Sequence, residues 1–281
     1  MTQDAIPSIL KKIVDTKKLE VAKAKLDKDF SSIKAEAESM LKQGNAPRRG
    51  FANALIAKQD AKIPGIIAEV KKASPSKGII SPNFDPEKTA KQYEQAGAAC
   101  LSVLTDEQYF QGHNHYLQLA KAACNLPILR KDFMIDSYQI YESYLMGADC
   151  ILLIVACLAD SVMYELHKVA CELGMDVLIE VHTLQELERA LKLPESNFNI
   201  YGINNRDLNT FNTDLETTIR LKAYIDKQST RPKLLVTESG IHSIEDMQLM
   251  LANQINSFLI GEQFMKTENP GDALANLLHS L

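Results

Sequence analysis

The sequence has no tryptophan, so no site in it rests on an indole side chain. It has only five cysteines, an odd number that cannot all pair within one chain. Cys100, Cys124, Cys150, Cys157 and Cys171 include no C-x-x-C pair and no Cys/His cluster at zinc-ligand spacing. They read as reduced core thiols of a cytoplasmic protein. Positive charge is not in excess: 31 Lys+Arg face 36 Asp+Glu, a formal net charge of −5. A duplex-binding surface needs clustered cations, so no nucleic-acid partner is expected. The longest apolar run, Ile151 to Ala159, is too short to span a bilayer, and no membrane association is expected. The start, Met1-Thr2-Gln3-Asp4-Ala5, lacks the apolar segment of a secretory signal. Two phosphate fingerprints are also missing, G-x-G-x-x-G after the first strand and G-x-x-x-x-G-K-[ST].

What is present is an ordinary globular balance, 46% hydrophobic and 24% charged residues. From about residue 64 short apolar runs alternate with longer helical ones. Eight strands are expected, at Gly65–Val70, Cys100–Leu104, Pro127–Lys131, Asp149–Ile154, Asp176–Val181, Ile200–Asn204, Lys233–Glu238 and Ser257–Gly261. Helical segments lie between them, such as Pro86 to Ala96, Ser137 to Met146, Asp160 to Leu173, Leu184 to Leu193 and Ile244 to Ala252. Gly97, Gly147 and Gly174 sit where helix C-caps belong. Eight βα units predict an α/β fold, a (β/α)8 barrel; an open doubly wound sheet is the alternative. The first fifty residues differ. Pro7-Ser8 starts a helix in which Ile9, Leu10, Ile13 and Val14 recur at helical spacing, with lysines on the other face through Lys28. A second helix around Ser32 to Gln43 ends at Gly44-Asn45-Ala46-Pro47. We expect residues 1–281 to form one barrel domain, with residues 1–50 as a helical extension packed on it. Phe51 marks the junction, and the extension is expected to act as a lid.

Barrel enzymes carry their chemistry at the C-terminal ends of the strands. Those positions hold Glu69, Lys71 and Ser74-Pro75-Ser76-Lys77-Gly78 after strand one, Lys131-Asp132 after strand three and Glu180 on strand five. Strand six ends with Asn204 and Arg206, strand seven with Glu238-Ser239-Gly240 and strand eight with Gly261-Glu262. Glu69 and Lys71 share a face, as do Asn204 and Arg206. Charges in a barrel mouth are costly unless paired or used. Glycines after strands seven and eight, with a short helix N-terminus, form the usual phosphate cradle of barrels. His113-Asn114-His115 reads as a helix start, His182 as a packed or solvent-facing residue, and Glu186, Glu188 and Arg189 as a solvated helix face.

These motifs resemble the indole-3-glycerol phosphate synthase family. The resemblance rests on Glu69-Val70-Lys71-Lys72-Ala73-Ser74-Pro75-Ser76-Lys77-Gly78, on Ser102-Val103-Leu104-Thr105-Asp106 leading to Tyr109-Phe110-Gln111-Gly112, and on Leu129-Arg130-Lys131-Asp132-Phe133. Gly202-Ile203-Asn204-Asn205-Arg206-Asp207-Leu208 and Glu238-Ser239-Gly240-Ile241 complete it. The resemblance implies ring closure of 1-(2-carboxyphenylamino)-1-deoxyribulose 5-phosphate to indole-3-glycerol phosphate, with release of carbon dioxide and water. It implies Lys131 as general acid and Glu180 as general base aided by Asn204. Lys71 would hold the substrate carboxylate and share acid duty, and Glu69 would orient Lys71. Arg206 would join that network, and Glu238 and Ser239 would contact the sugar part. Ser74, Gly240, Gly261 and the backbone at Glu262 would bind phosphate. Phe110, Phe133, Leu152 and Leu259 would hold the aromatic ring. No metal and no organic cofactor is implied; the partner is a phosphorylated small molecule, and a monomer or weak homodimer is expected. Gln263 departs from the smaller residues common in the family, and Leu193-Pro194-Glu195-Ser196-Asn197-Phe198 departs on the opposite face, where no catalytic effect is expected. A fused second barrel, which some relatives carry, does not fit before Leu281. The competing readings are another sugar-phosphate barrel enzyme, or a non-catalytic phosphate sensor. A Schiff-base aldolase would place lysine where Asn204 stands.

Overall fold

The computed structural model describes residues 7–44, 47–228 and 232–281. The Met1-to-Ala5 start, and Asn45 and Ala46 of the expected turn, lie outside the described residues. Three helices precede the first strand: α1 (Ser8–Asp27), α2 (Phe30–Gln43) and α3 (Phe51–Asp60). The chain then runs β1 (Gly65–Val70), α4 (Pro86–Gln95), β2 (Cys100–Leu104), α5 (Glu107–Phe110), α6 (Asn114–Ala123), β3 (Ile128–Lys131), α7 (Ser137–Leu145) and β4 (Cys150–Ile154). It continues α8 (Asp160–Glu172), β5 (Asp176–Val181), α9 (Leu184–Ala190), β6 (Asn199–Asn204), α10 (Glu216–Ile225), β7 (Leu235–Glu238), α11 (Ile244–Ala252), β8 (Ser257–Ile260), α12 (Glu262–Met265) and α13 (Pro270–His279). Each strand pairs in parallel with the next, and β1 pairs with β8, with Ile67 opposite Leu259, to close the barrel. A short antiparallel hairpin, Ala73–Ser74 with Gly78–Ile79, stands on the loop after β1.

Local signals place these elements. Asp136 and Gln139 form a capping box on α7, and Ser243 and Asp246 form one on α11. Gly97, Gly147 and Gly174 adopt φ of 90°, 90° and 71°, the left-handed turn that ends a helix where a Cβ would be strained. His113 is the N-cap of α6, its side chain accepting the His115 N–H.

Strand alternation divides the barrel interior into two levels. Ile67, Leu129, Leu178 and Val236 face inward at the lower level, packed over Phe51 and Leu55 of α3. Two residues further along the same strands come Glu69, Lys131, Glu180 and Glu238. The helix α3 was not anticipated from the sequence. Phe51 and Leu55 are fully buried beneath the barrel, and truncating Phe51 to alanine is expected to cost about 3–5 kcal/mol.

Helix α1 buries Leu10, Ile13, Val14 and Val21, and α2 buries Ile33 and Ala37. The Tyr138 hydroxyl of α7 donates to the Ala24 carbonyl and fastens α1 to the barrel wall. One expectation fails here. The lysines of α1 do not all face away, because Lys17 lies on the buried stripe and is only 3% exposed. Its carboxylate partners, from distant strand ends, make that burial possible.

Candidate active site

At the C-terminal ends of the strands a cavity opens, lined by Glu69, Lys71, Lys131, Glu180, Asn204, Arg206 and Glu238. Lys131 Nζ lies 3.1 Å from Glu180 Oε2 and 3.8 Å from Glu238 Oε2. Asn204 donates its amide to Glu180 Oε1 at 3.2 Å, and its own Oδ1 accepts the Arg206 N–H at 3.0 Å. Lys71 pairs with Glu69, two residues before it at the end of β1.

Two inward-facing glycines make room for this charge. A Cβ on Gly202 would collide with the Glu238 carboxylate, and one on Gly261 would collide with that of Glu69. No larger residue fits at either position while those acids keep their places.

Burial and charge pull against each other here. Burial alone would neutralise the Lys131 ammonium, but Glu180, Glu238 and Glu69 outweigh it and hold its pKa above the usual lysine value. Burial likewise penalises the Glu180 carboxylate, yet Lys131 and His182 hold its pKa below the ordinary range. Glu238 goes the other way: burial, then the neighbouring Glu180, push it well above the carboxylate range. The mouth therefore holds a charged ammonium and a charged carboxylate beside a carboxyl whose neighbours favour its protonated form.

His182 is packed, as one branch of the sequence reading had it. Its Nε2 stands 3.3 Å from Glu180 Oε1, and its Nδ1 stands 3.1 Å from Glu186 Oε2. Burial works against its charge, but these two acids raise its pKa to about 10. The reading of Glu186 and Arg189 as a solvated face is corrected. Glu186 Oε2 also accepts the His182 N–H at 2.8 Å, and Arg189 bonds the carbonyls of Val155 and Leu158.

One wall is apolar. Phe110 and Phe133, with ring centroids 6.1 Å apart, stand with Leu152 and Leu259. Ile9, Leu10 and Ile13 of α1 complete that lining, a contribution the strand-end reading missed although their helical spacing was noted. The other wall is Ser239, Gly240, Gly261 and Glu262. Ser239 and Gly240 adopt φ of 63° and 83°, and Gly261 caps the short helix α12. A left-handed serine is a strained backbone held by its surroundings. Asn205 supplies that support, donating to the Glu238 and Ser239 carbonyls at 3.1 and 3.0 Å. One feature departs from expectation. Ser74 does not line the cavity, because the hairpin turns it toward Ser76, whose Oγ is 3.5 Å away. Glu262 is held by Lys77 at 3.4 Å and Arg206 at 3.8 Å. Gln263 also reaches the cavity.

A closed (β/α)8 barrel with paired acids and bases at the C-terminal mouth, an aromatic slot and a glycine cradle is an acid–base barrel enzyme. The indole-3-glycerol phosphate synthase family model matches residues 10–277. The chain belongs to that family. It is 53% identical over 269 residues to the indole-3-glycerol phosphate synthase of Polynucleobacter asymbioticus, covering 96% of this chain and 98% of that protein. It is 50% identical over 270 residues to that of Acinetobacter baylyi, covering 96% and 95%. Among solved structures, tryptophan synthase subunit alpha from Legionella pneumophila aligns with a TM-score of 0.58 at 13% identity, covering 84% of this chain and 98% of that one. KGPDC from Streptococcus mutans aligns with a TM-score of 0.56 at 11% identity, covering 78% and 98%. These last two similarities speak to the barrel fold alone.

Proposed function

We propose that this chain closes the indole ring of 1-(2-carboxyphenylamino)-1-deoxyribulose 5-phosphate, releasing carbon dioxide and water, with Lys131 as general acid and Glu180 as general base. The observation that carries the assignment is the Lys131–Glu180 pair, 3.1 Å apart beside the aromatic slot. Lys131 is charged at neutral pH and so holds the proton that the ketone oxygen must receive as the ring carbon attacks it. The carboxylate then leaves as carbon dioxide. Next the new hydroxyl departs as water with a second proton, and Glu180, ionised and oriented by Asn204, takes the carbon-bound proton. Net uptake is one proton per turnover, because the carboxylate charge leaves as neutral gas.

The other roles follow from position. Lys71, paired with Glu69, meets the substrate carboxylate and can share the acid step. Glu238, whose protonated form burial and Glu180 favour, meets the sugar hydroxyls, and Arg206 and Ser239 border the same end. Phe110, Phe133, Leu152 and Leu259 grip the aromatic ring. Gly240, Gly261 and the start of α12 receive the phosphate, which fixes the pose from a distance. Ser74 would join them only after the hairpin moves inward. The roles call on no metal or organic cofactor. We propose further that the chain works as one barrel domain with its helical extension, in the cytoplasm, as a monomer or weak homodimer. All five cysteines are free thiols, which supports a reducing compartment.

The test is direct. Mixing the protein with the substrate should produce indole fluorescence on a tryptophan-free background. Lys131→Ala should lower kcat by about a thousandfold or more while substrate still binds; normal turnover by that variant refutes the role.

A further inference from the structure

Lys17 is a nearly buried lysine, placed where the helical extension meets the strand ends. Its side chain is 4% exposed, and its partners Asp106 and Asp132 are 0% and 2% exposed. Nζ lies 2.9 Å from Asp132 Oδ1, 3.2 Å from Asp106 Oδ2 and 2.6 Å from Glu20. Two carboxylates from neighbouring strand ends thus share one ammonium. Asp132 also has Arg130 at 3.5 Å.

What those carboxylates hold is the reason for interest. Asp106 Oδ1 accepts the N–H groups of Tyr109 and Phe110 at 2.8 and 3.2 Å, as N-cap of α5. Asp132 Oδ1 accepts the Phe133 N–H at 2.8 Å. Phe110 and Phe133 are the paired rings of the slot. Without the ammonium, Asp106 would lose its cation and Asp132 would keep only Arg130, leaving two buried carboxylates to repel each other beside that slot.

We propose that Lys17 is a positioning residue for the aromatic slot: it holds Asp106 and Asp132 together and through them sets the spacing of Phe110 and Phe133. The role lies with the ring end of the substrate and not with its phosphate end. It rests on the assignment of that slot to the substrate ring. It makes the extension part of the site through a specific charge contact, besides the apolar cover given by Ile9, Leu10 and Ile13.

The experiment compares wild type with Lys17→Met, a chain of similar length without charge. We expect KM for the carboxyphenylamino-deoxyribulose phosphate to rise about tenfold. Competitive inhibition by anthranilate should weaken in parallel, inhibition by inorganic phosphate should stay the same, and kcat should change less than about twofold. Adding Asp106→Asn to Lys17→Met keeps the cap acceptor, removes the repulsion and should recover most of the KM. An unchanged KM with a lowered Tm would make Lys17 purely structural and overturn the proposal. Equal weakening of phosphate and anthranilate would overturn it too. Should Lys17→Met not fold, Lys17→Gln, a polar chain without charge, is read in the same way. Absence of turnover in the wild type would instead overturn the proposed reaction, before any variant is compared.

Discussion

His182 offers a perturbation whose size and sign follow from geometry. Its ring lies between Glu180 and Glu186, at 3.3 and 3.1 Å, and its pKa rises from an ordinary 6.5 to about 10. At 1.36 kcal/mol per pH unit that difference corresponds to about 5 kcal/mol favouring the charged, folded form. A pKa raised on folding contributes stability that is complete below pH 6.5 and disappears as pH climbs toward about 10. Urea unfolding of wild type and His182→Gln across that window should therefore give converging curves. The wild type loses several kcal/mol more than the variant as pH rises, and the difference between the two isolates residue 182. Catalysis should move as well. The imidazolium helps hold the Glu180 pKa down, so its loss raises that pKa, and the acid limb of kcat/KM should shift upward. Parallel unfolding curves together with superimposable pH–rate profiles would refute the charged, buried histidine.

Gly202→Ala should place a methyl group inside the space of the Glu238 carboxylate, with Leu178 3.1 Å away on the other side. Displacing Glu238 by about an ångström should reduce kcat/KM about a hundredfold while the circular dichroism spectrum is retained, and near-normal activity would refute the packing argument. Gly261→Ala should act in the same way on Glu69, with Lys71 displaced alongside it. Dialysis against a chelator should leave turnover intact; a loss that added metal restores would refute a cofactor-free reaction.

The barrel was legible because parallel strands buried on both faces leave continuous apolar runs, and these runs stop at charged residues. Strand starts were less sharp. The seventh strand was expected from Lys233 but begins at Leu235, although the Leu234 carbonyl already accepts the Tyr201 N–H. Residues fixed by their own strand, such as Glu69, Lys131 and Glu238, could be placed by alternation. Residues defined by distant partners could not. Lys17 reads like any helix lysine until Asp106 and Asp132 are brought to it. Its spacing from Leu10, Ile13, Val14 and Val21 was the available signal, since a buried stripe that includes a lysine implies an acid opposite. Asn205 stands within a quoted motif, but its support of Ser239 depends on how β6 and β7 pair. That Ser74 lies off the cavity lining was not legible either, because a motif does not reveal that its loop folds into a hairpin.

The helix beneath the barrel has a consequence for traffic. Phe51 and Leu55 of α3 cork the end of the interior opposite the site. Traffic then uses the C-terminal mouth, where Ile9, Leu10 and Ile13 of α1 and Pro75 and Ser76 of the loop after β1 line the cavity. A gas molecule made deep in the slot cannot drain through the floor. With the phosphate anchored at Gly240 and Gly261 as proposed, the gas must pass an intermediate still tethered at that end, which predicts that the small product departs before the phosphorylated one.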